Sequence, residues 1–172
     1  GVEGCGCPAG LAFIPWTVGR FRPAFVDAVR RSGRFALCIQ GCDHTRGEFG
    51  CQDEAWLDTL AELALERMDR HRQQTGMPHQ KIMVFPQGVF SRQAMRILKR
   101  RNFIAAVNTE VVPGHKSNQR GTVALGSLLD MAIAADDSLP LFSRRNCHEP
   151  LLNYALDMFL GKPCLLVAHH DY

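Results

Sequence analysis

The sequence predicts an α/β fold with parallel strands, every strand's C-terminal end lying on one face of the molecule. Two observations predict it. Six short apolar runs recur along the chain, Leu11–Ile14, Phe35–Ile39, Ile82–Phe85, Phe103–Val107, Leu139–Phe142 and Cys164–Ala168, and a helix-like segment follows most of them. The runs also lack the polar alternation of a half-exposed sheet; Ile-Met-Val-Phe and Cys-Leu-Leu-Val-Ala read as buried on both faces. Each run ends in a knot of polar or special residues: Pro15-Trp16-Thr17, Asp43-His44-Thr45, Pro86-Gln87-Gly88, Asn108-Thr109-Glu110, Arg144-Arg145 and His169-His170-Asp171. Parallel strands joined by helices bring such knots to one site, although they are far apart in sequence. That convergence argues for an enzyme.

Between the first two runs, Phe21 to Arg31 reads as a helix with Pro23 in its first turn and Phe21, Phe25, Ala28 and Val29 inward. A long helix runs from about Asp53 to Gln73, with Leu57, Leu60, Ala61, Ala64 and Met68 as its apolar stripe. Thr75-Gly76-Met77-Pro78 ends it. Ser91 caps a third helix whose Ala94, Ile97 and Leu98 face inward. Lys99-Arg100-Arg101 crowd its last turn; a solvated end favoured by the helix dipole explains them better than a phosphate site. The last helix spans Leu151 to Leu160, with Leu152, Ala155, Leu156, Phe159 and Leu160 at helical spacing, and Gly161 and Pro163 stop it. Pro113 to Gly121 is a polar loop of the length found in lids or disordered segments, and a short helix is expected after Ser127.

The 172 residues fit a single domain, 1–172, and 46% hydrophobic residues fit a soluble globular protein. No apolar stretch approaches the roughly 20 residues that span a bilayer, and a net charge of +3 is too mild to imply nucleic acid. Seven cysteines, an odd number, suggest reduced thiols and a cytoplasmic location. Cys38, Cys42, His44 and Cys51 lack the paired Cys-x-x-Cys of a structural zinc site. The chain does not begin with Met and stops at Tyr172 just beyond a strand, so a fragment is expected. A closed barrel needs about seven or eight strands and about 250 residues. An open doubly wound sheet fits the length but lacks a Gly-rich phosphate turn, so a truncated barrel is preferred.

His44 and Glu48 stand four apart directly after a strand. On a helical backbone they would share one face and could bind one metal ion, whereas on an ordinary surface they would only touch each other. At Pro86-Gln87-Gly88, Gly88 would let backbone N–H groups approach a ligand, or simply permit a tight connection. In His169-His170-Asp171, successive residues point to opposite sides, so at most one imidazole faces the mouth of the site. A Gly-x-Ser-x-Gly elbow and a P-loop are both missing.

This ordered pattern resembles the polysaccharide deacetylase superfamily, whose members carry an Asp-Asp motif on the first strand. His-[Ser/Thr]-x-x-His, Arg-x-Pro-x-Gly and Leu-x-His motifs follow. His44-Thr45-Arg46-Gly47-Glu48 resembles the second, with Glu48 in place of His; Val84-Phe85-Pro86-Gln87-Gly88 the third, with Val84 in place of Arg; Val167-Ala168-His169 the last. The resemblance implies a truncated, distorted (β/α)7 barrel lacking its first strand. It further implies a metal-dependent hydrolase that removes acetyl groups from an N- or O-acetylated sugar. In that reading His44 and Glu48 hold a divalent ion, zinc before others. His169 is the acid, Gln87, Gly88, Asn108 and His170 bind substrate, and the general base lies upstream of Gly1. The partner is a carbohydrate, with no nucleic acid or membrane. The altered Val84 and Glu48 favour a rival, a non-catalytic carbohydrate-binding or scaffold protein on the same barrel.

Overall fold

A computed structural model describes residues 9–45, 47–108, 133–134, 139–161 and 164–167. Each of the six apolar runs holds a strand. The strands are β1 (Ala9–Phe13), β2 (Phe35–Gln40), β3 (His79–Val84), β4 (Ala105–Asn108), β5 (Ile133–Ala134), β6 (Pro140–Ser143), β7 (Arg145–Asn146) and β8 (Leu166–Val167). The main sheet has the order β1-β2-β3-β4-β6-β5. Its first five strands are parallel, and β5 runs antiparallel on the far edge. The register lines up their upper ends: Gln40 stands opposite Val84, Val84 opposite Val107, and Val107 opposite Phe142.

The α/β class and the parallel sheet agree with the sequence, but barrel closure is not seen among the described residues. β8, expected in the main sheet, pairs with β7 in a separate two-stranded ladder. The edge of β6 is instead taken by the two residues of β5, too short a strand to be read from periodicity. β1 forms the other edge.

The described residues include four α-helices: α1 (Pro23–Ser32), α2 (Glu54–Thr75), α3 (Arg92–Arg100) and α4 (Leu151–Phe159). Asp53 caps α2 by accepting the Trp56 N–H at 3.1 Å, and left-handed Gly76 ends it. Its predicted stripe is buried as a whole against the sheet core. Each fully buried Leu or Met there contributes about 1.5–3 kcal/mol. Ser91 caps α3 through the Ala94 N–H at 3.0 Å, and Ala94, Met95, Ile97 and Leu98 are buried. The basic end of α3 pairs with α2: Arg100 with Glu54, and Arg101 with Asp58 and Glu62.

Two helices depart from the expected phase. α1 begins at Pro23, so Phe21 precedes it and the inward residues are Val26 and Val29, while Phe25 and Ala28 are exposed. α4 turns its polar side inward. Arg145 reaches Asp157, which is buried, and also Glu149 at 3.0 Å, leaving Leu151, Leu152 and Phe159 largely exposed. Among the described residues no helix is long and apolar enough to cross a membrane.

Candidate functional site at the strand ends

The C-terminal ends of the parallel strands are tied into one rim. The Trp16 N–H, in the turn after β1, donates to the Cys42 carbonyl at 3.0 Å, and the Gly41 N–H donates to the Val84 carbonyl at 3.1 Å. Asn108 Nδ2 donates to the Gly88 carbonyl at 2.9 Å, and the Arg144 N–H donates to the Asn108 carbonyl at 3.0 Å. Polar ends of β1, β2, β3, β4 and β6 therefore lie in a row. Beneath them Phe85 stacks on Phe90 at 4.8 Å and meets Phe49 at 6.1 Å, all three fully buried.

The segment after β2 is a chain of turns, not the helix that a shared His44/Glu48 face requires. Gly41, at φ 62°, bends the backbone back, and the amides of Cys42, Asp43 and Thr45 converge on Glu48. Oε1 of Glu48 accepts from the Cys42 N–H at 2.7 Å. Oε2 accepts from the Asp43 N–H at 3.1 Å, the Thr45 N–H at 3.4 Å and the Thr45 hydroxyl at 3.2 Å. Glu48 is buried and acts as the staple of this loop. A second tie comes from α2, where Arg67 Nη1 lies 2.5 Å from Asp43 Oδ1 and donates to the Cys42 carbonyl at 3.3 Å. Cys42 is buried in this nest. Burial pushes its thiol up to about 12; Arg67 opposes the rise, and Asp43 and Glu48 add to it.

His44 remains partly exposed at φ 60°, its Nε2 lying 3.1 Å from Gln40 Nε2. An amide nitrogen only donates, so Nε2 of His44 is the acceptor in this contact. Gln87 is exposed at φ 54°, whereas Gly88 is buried, its N–H donating to Phe85 and its carbonyl accepting from Asn108. Gly88 thus secures the turn and does not present its amide to a ligand. Asn108 is fully buried in the same duty. His44, Glu48, Gln87, Gly88 and Asn108 share one rim; His169 and His170 lie outside the described residues. Gln40, Arg67 and Arg144 join this rim without having been assigned a role from sequence. A polar residue closing an apolar strand was the available signal for Gln40 and Arg144. Arg67 had none, being 24 residues from Asp43.

The described residues do not fit a divalent ion here. Glu48 already accepts from four donors, Asp43 is paired with Arg67, and His44 Nε2 faces the Gln40 amide. No three His, Cys, Asp or Glu side chains among the described residues are placed to share an ion. A groove of about 570 Å³, lined by Glu54, Ala55, Asp58, Arg100 and Arg101, lies on the surface of α2 and α3 and includes none of the strand-end residues.

No family model and no curated protein matches the chain. Solved structures do. A Mycobacterium smegmatis protein whose name proposes it as a polysaccharide deacetylase superposes with a TM-score of 0.60 over 96% of this chain, at 14% identity. The fold is polysaccharide deacetylase-like. IcaB from Ammonifex degensii matches with a TM-score of 0.45 over 63% of this chain, at 15% identity. The chain's matches cover 59% and 53% of the lengths of those two structures. At such identity the likeness is one of fold, and the resemblance carried by the sequence motifs is met at that level.

Proposed function

We propose that the chain recognises an acetylated saccharide at the rim where its parallel strands end. The observation that carries this reading is a pair of polar residues, His44 and Gln87, held in left-handed backbone in the turns that end neighbouring strands. Such backbone costs a non-glycine residue about 1–2 kcal/mol and is concentrated at ligand sites, where the surrounding structure maintains it. Here the Glu48 staple and the Asn108–Gly88 bond maintain it. Gln40, His44 and Gln87 offer the amide and imidazole groups that bind sugar hydroxyls and acetamides. Trp16, half exposed with the Arg20 guanidinium 4.2 Å from its ring, adds apolar surface beside them. The deacetylase-like fold supports the choice of a saccharide as ligand.

A second reading, hydrolytic removal of the acetyl group, is favoured by the fold likeness alone. In it His169 protonates the leaving amine or alcohol. The two readings separate in one experiment. Titration calorimetry with an N-acetylglucosamine oligomer is expected to show binding that His44→Ala and Gln87→Ala each weaken about tenfold, as for loss of one hydrogen bond. Acetate release that falls about 10²–10⁴-fold in His169→Ala would establish hydrolysis. A chain that neither binds the oligomer nor releases acetate is not a saccharide protein.

A further inference from the structure

Arg144 follows the last residue of β6 and is only partly exposed, and its Nε is buried without a hydrogen-bond partner. Among the described residues no carboxylate lies within ion-pair distance of its guanidinium. The other arginines drawn into the fold are satisfied: Arg67 by Asp43, Arg101 by Asp58 and Glu62, Arg145 by Glu149 and Asp157. The contrast with Arg145 is local. One residue further on, the chain turns its guanidinium to two acidic groups of the α4 region, and Arg144 shares neither. Burial pulls the Arg144 pKa down. A desolvated cation with no counter-ion among the described residues destabilises the fold, and truncating it strands no partner among them.

We infer that Arg144 anchors an oxyanion on the ligand of this rim, so that the saccharide recognised is an acidic one, bearing a carboxylate or sulfate. The inference rests on the saccharide reading. Its position supports it: the Arg144 N–H bonds the carbonyl of Asn108, whose side chain holds the Gly88 carbonyl beside exposed Gln87. The guanidinium fork matches a planar carboxylate, or two oxygens of a sulfate, through paired N–H donors.

The test titrates the whole chain, Arg144→Gln and Arg144→Lys with three probes: a neutral N-acetylglucosamine oligomer, an oligomer alternating N-acetylglucosamine with glucuronate, and inorganic sulfate. The uronate oligomer is expected to bind best. Arg144→Gln should weaken it about 10- to 100-fold, as for loss of a charged hydrogen-bond pair. Arg144→Lys should fall between, and the neutral oligomer should be little affected. The unfolding temperature of Arg144→Gln should hold or rise, since a ligand-serving cation is removed. Equal affinity of Arg144→Gln and the parent chain for the uronate oligomer overturns the inference, and so does a marked fall in unfolding temperature, which would make Arg144 structural. If sulfate binds in an Arg144-dependent way while neither oligomer binds, the anion site stands and the saccharide reading falls. If the neutral oligomer binds and Arg144 affects no probe, the saccharide reading stands and the anion site falls.

Discussion

A side-chain carbon on Gly41 would stand 2.0 Å from Glu48 Oε1 and 2.3 Å from Pro86 Cγ. The loop after β2, the carboxylate that folds it and the turn after β3 meet at a point with room only for hydrogen. The left-handed backbone at Gly41 adds a second reason for glycine. Gly41→Ala should therefore lower stability by about 2–4 kcal/mol, at the upper end for one methyl group. In this size range that is on the order of 10 °C in unfolding temperature. Urea unfolding followed by the fluorescence of Trp16 and Trp56 measures it. An unchanged midpoint would mean the loop relaxes freely and is no rigid part of the rim.

Glu48→Gln replaces one acceptor oxygen with an amide NH2, a donor that faces N–H donors. At least one buried amide loses its partner, at about 1–3 kcal/mol. The loss should be the same in chelator and in added zinc, because the carboxylate serves Cys42, Asp43 and Thr45. A loss confined to zinc-containing buffer would reinstate Glu48 as a metal ligand.

Much of this fold was legible because burial imposes a period. The α2 stripe from Leu57 to Met68 and the Ser91 cap follow from local chemistry, and both are found. Phase and partnership were less legible. Val29 was placed inward and is buried; Phe25 was placed inward because it is apolar, but a helix that begins at Pro23 buries Val26 in its stead. The apolar residues of α4 were expected inward, but Arg145 draws the opposite face in through Asp157, 12 residues away. At the rim, the four-residue spacing of His44 and Glu48 suggested one helical face, but the segment is a run of turns in which His44 meets Gln40 and Glu48 meets the loop amides. The role of Glu48 depends on three amides converging after Gly41 reverses the chain, which no linear spacing conveys.

Cys42 should be inert. It is fully buried, and burial raises its thiol to about 12, so almost no thiolate exists near neutrality. Alkylation by iodoacetamide at pH 8, read by peptide mass spectrometry, should label exposed Cys147 well before Cys42. Arg67→Met removes the cation that opposes the rise and also one tie of the loop. If the thiol is shielded by packing, as its burial indicates, Cys42 should remain slow in that variant while the loop loses stability. Rapid labelling of Cys42 in the parent chain would show that the nest opens on the timescale of the reaction.

His71 supplies the pH dependence of the fold. Its ring lies 4.4 Å from Phe13 and edge-on to Phe21 at 5.5 Å, and its buried Nδ1 has no hydrogen-bond partner. Burial first, and His79 second, hold its pKa below the ordinary 6.5. His79 is lowered too, again chiefly by burial, with Arg72 and Lys81 adding to the effect and Asp69 opposing it. The native state therefore resists protons that the unfolded chain accepts at about pH 6.5. Stability is full above 6.5 and falls as the pH drops from there towards the native pKa values. The slope is at most about 1.4 kcal/mol per pH unit for each histidine. Urea midpoints should be flat from pH 8 to 7 and decline from 6.5 to 5. His71→Leu, which keeps the apolar contacts and removes the titration, should shrink the decline and leave the His79 share. An undiminished decline in that variant would assign the acid sensitivity to other groups.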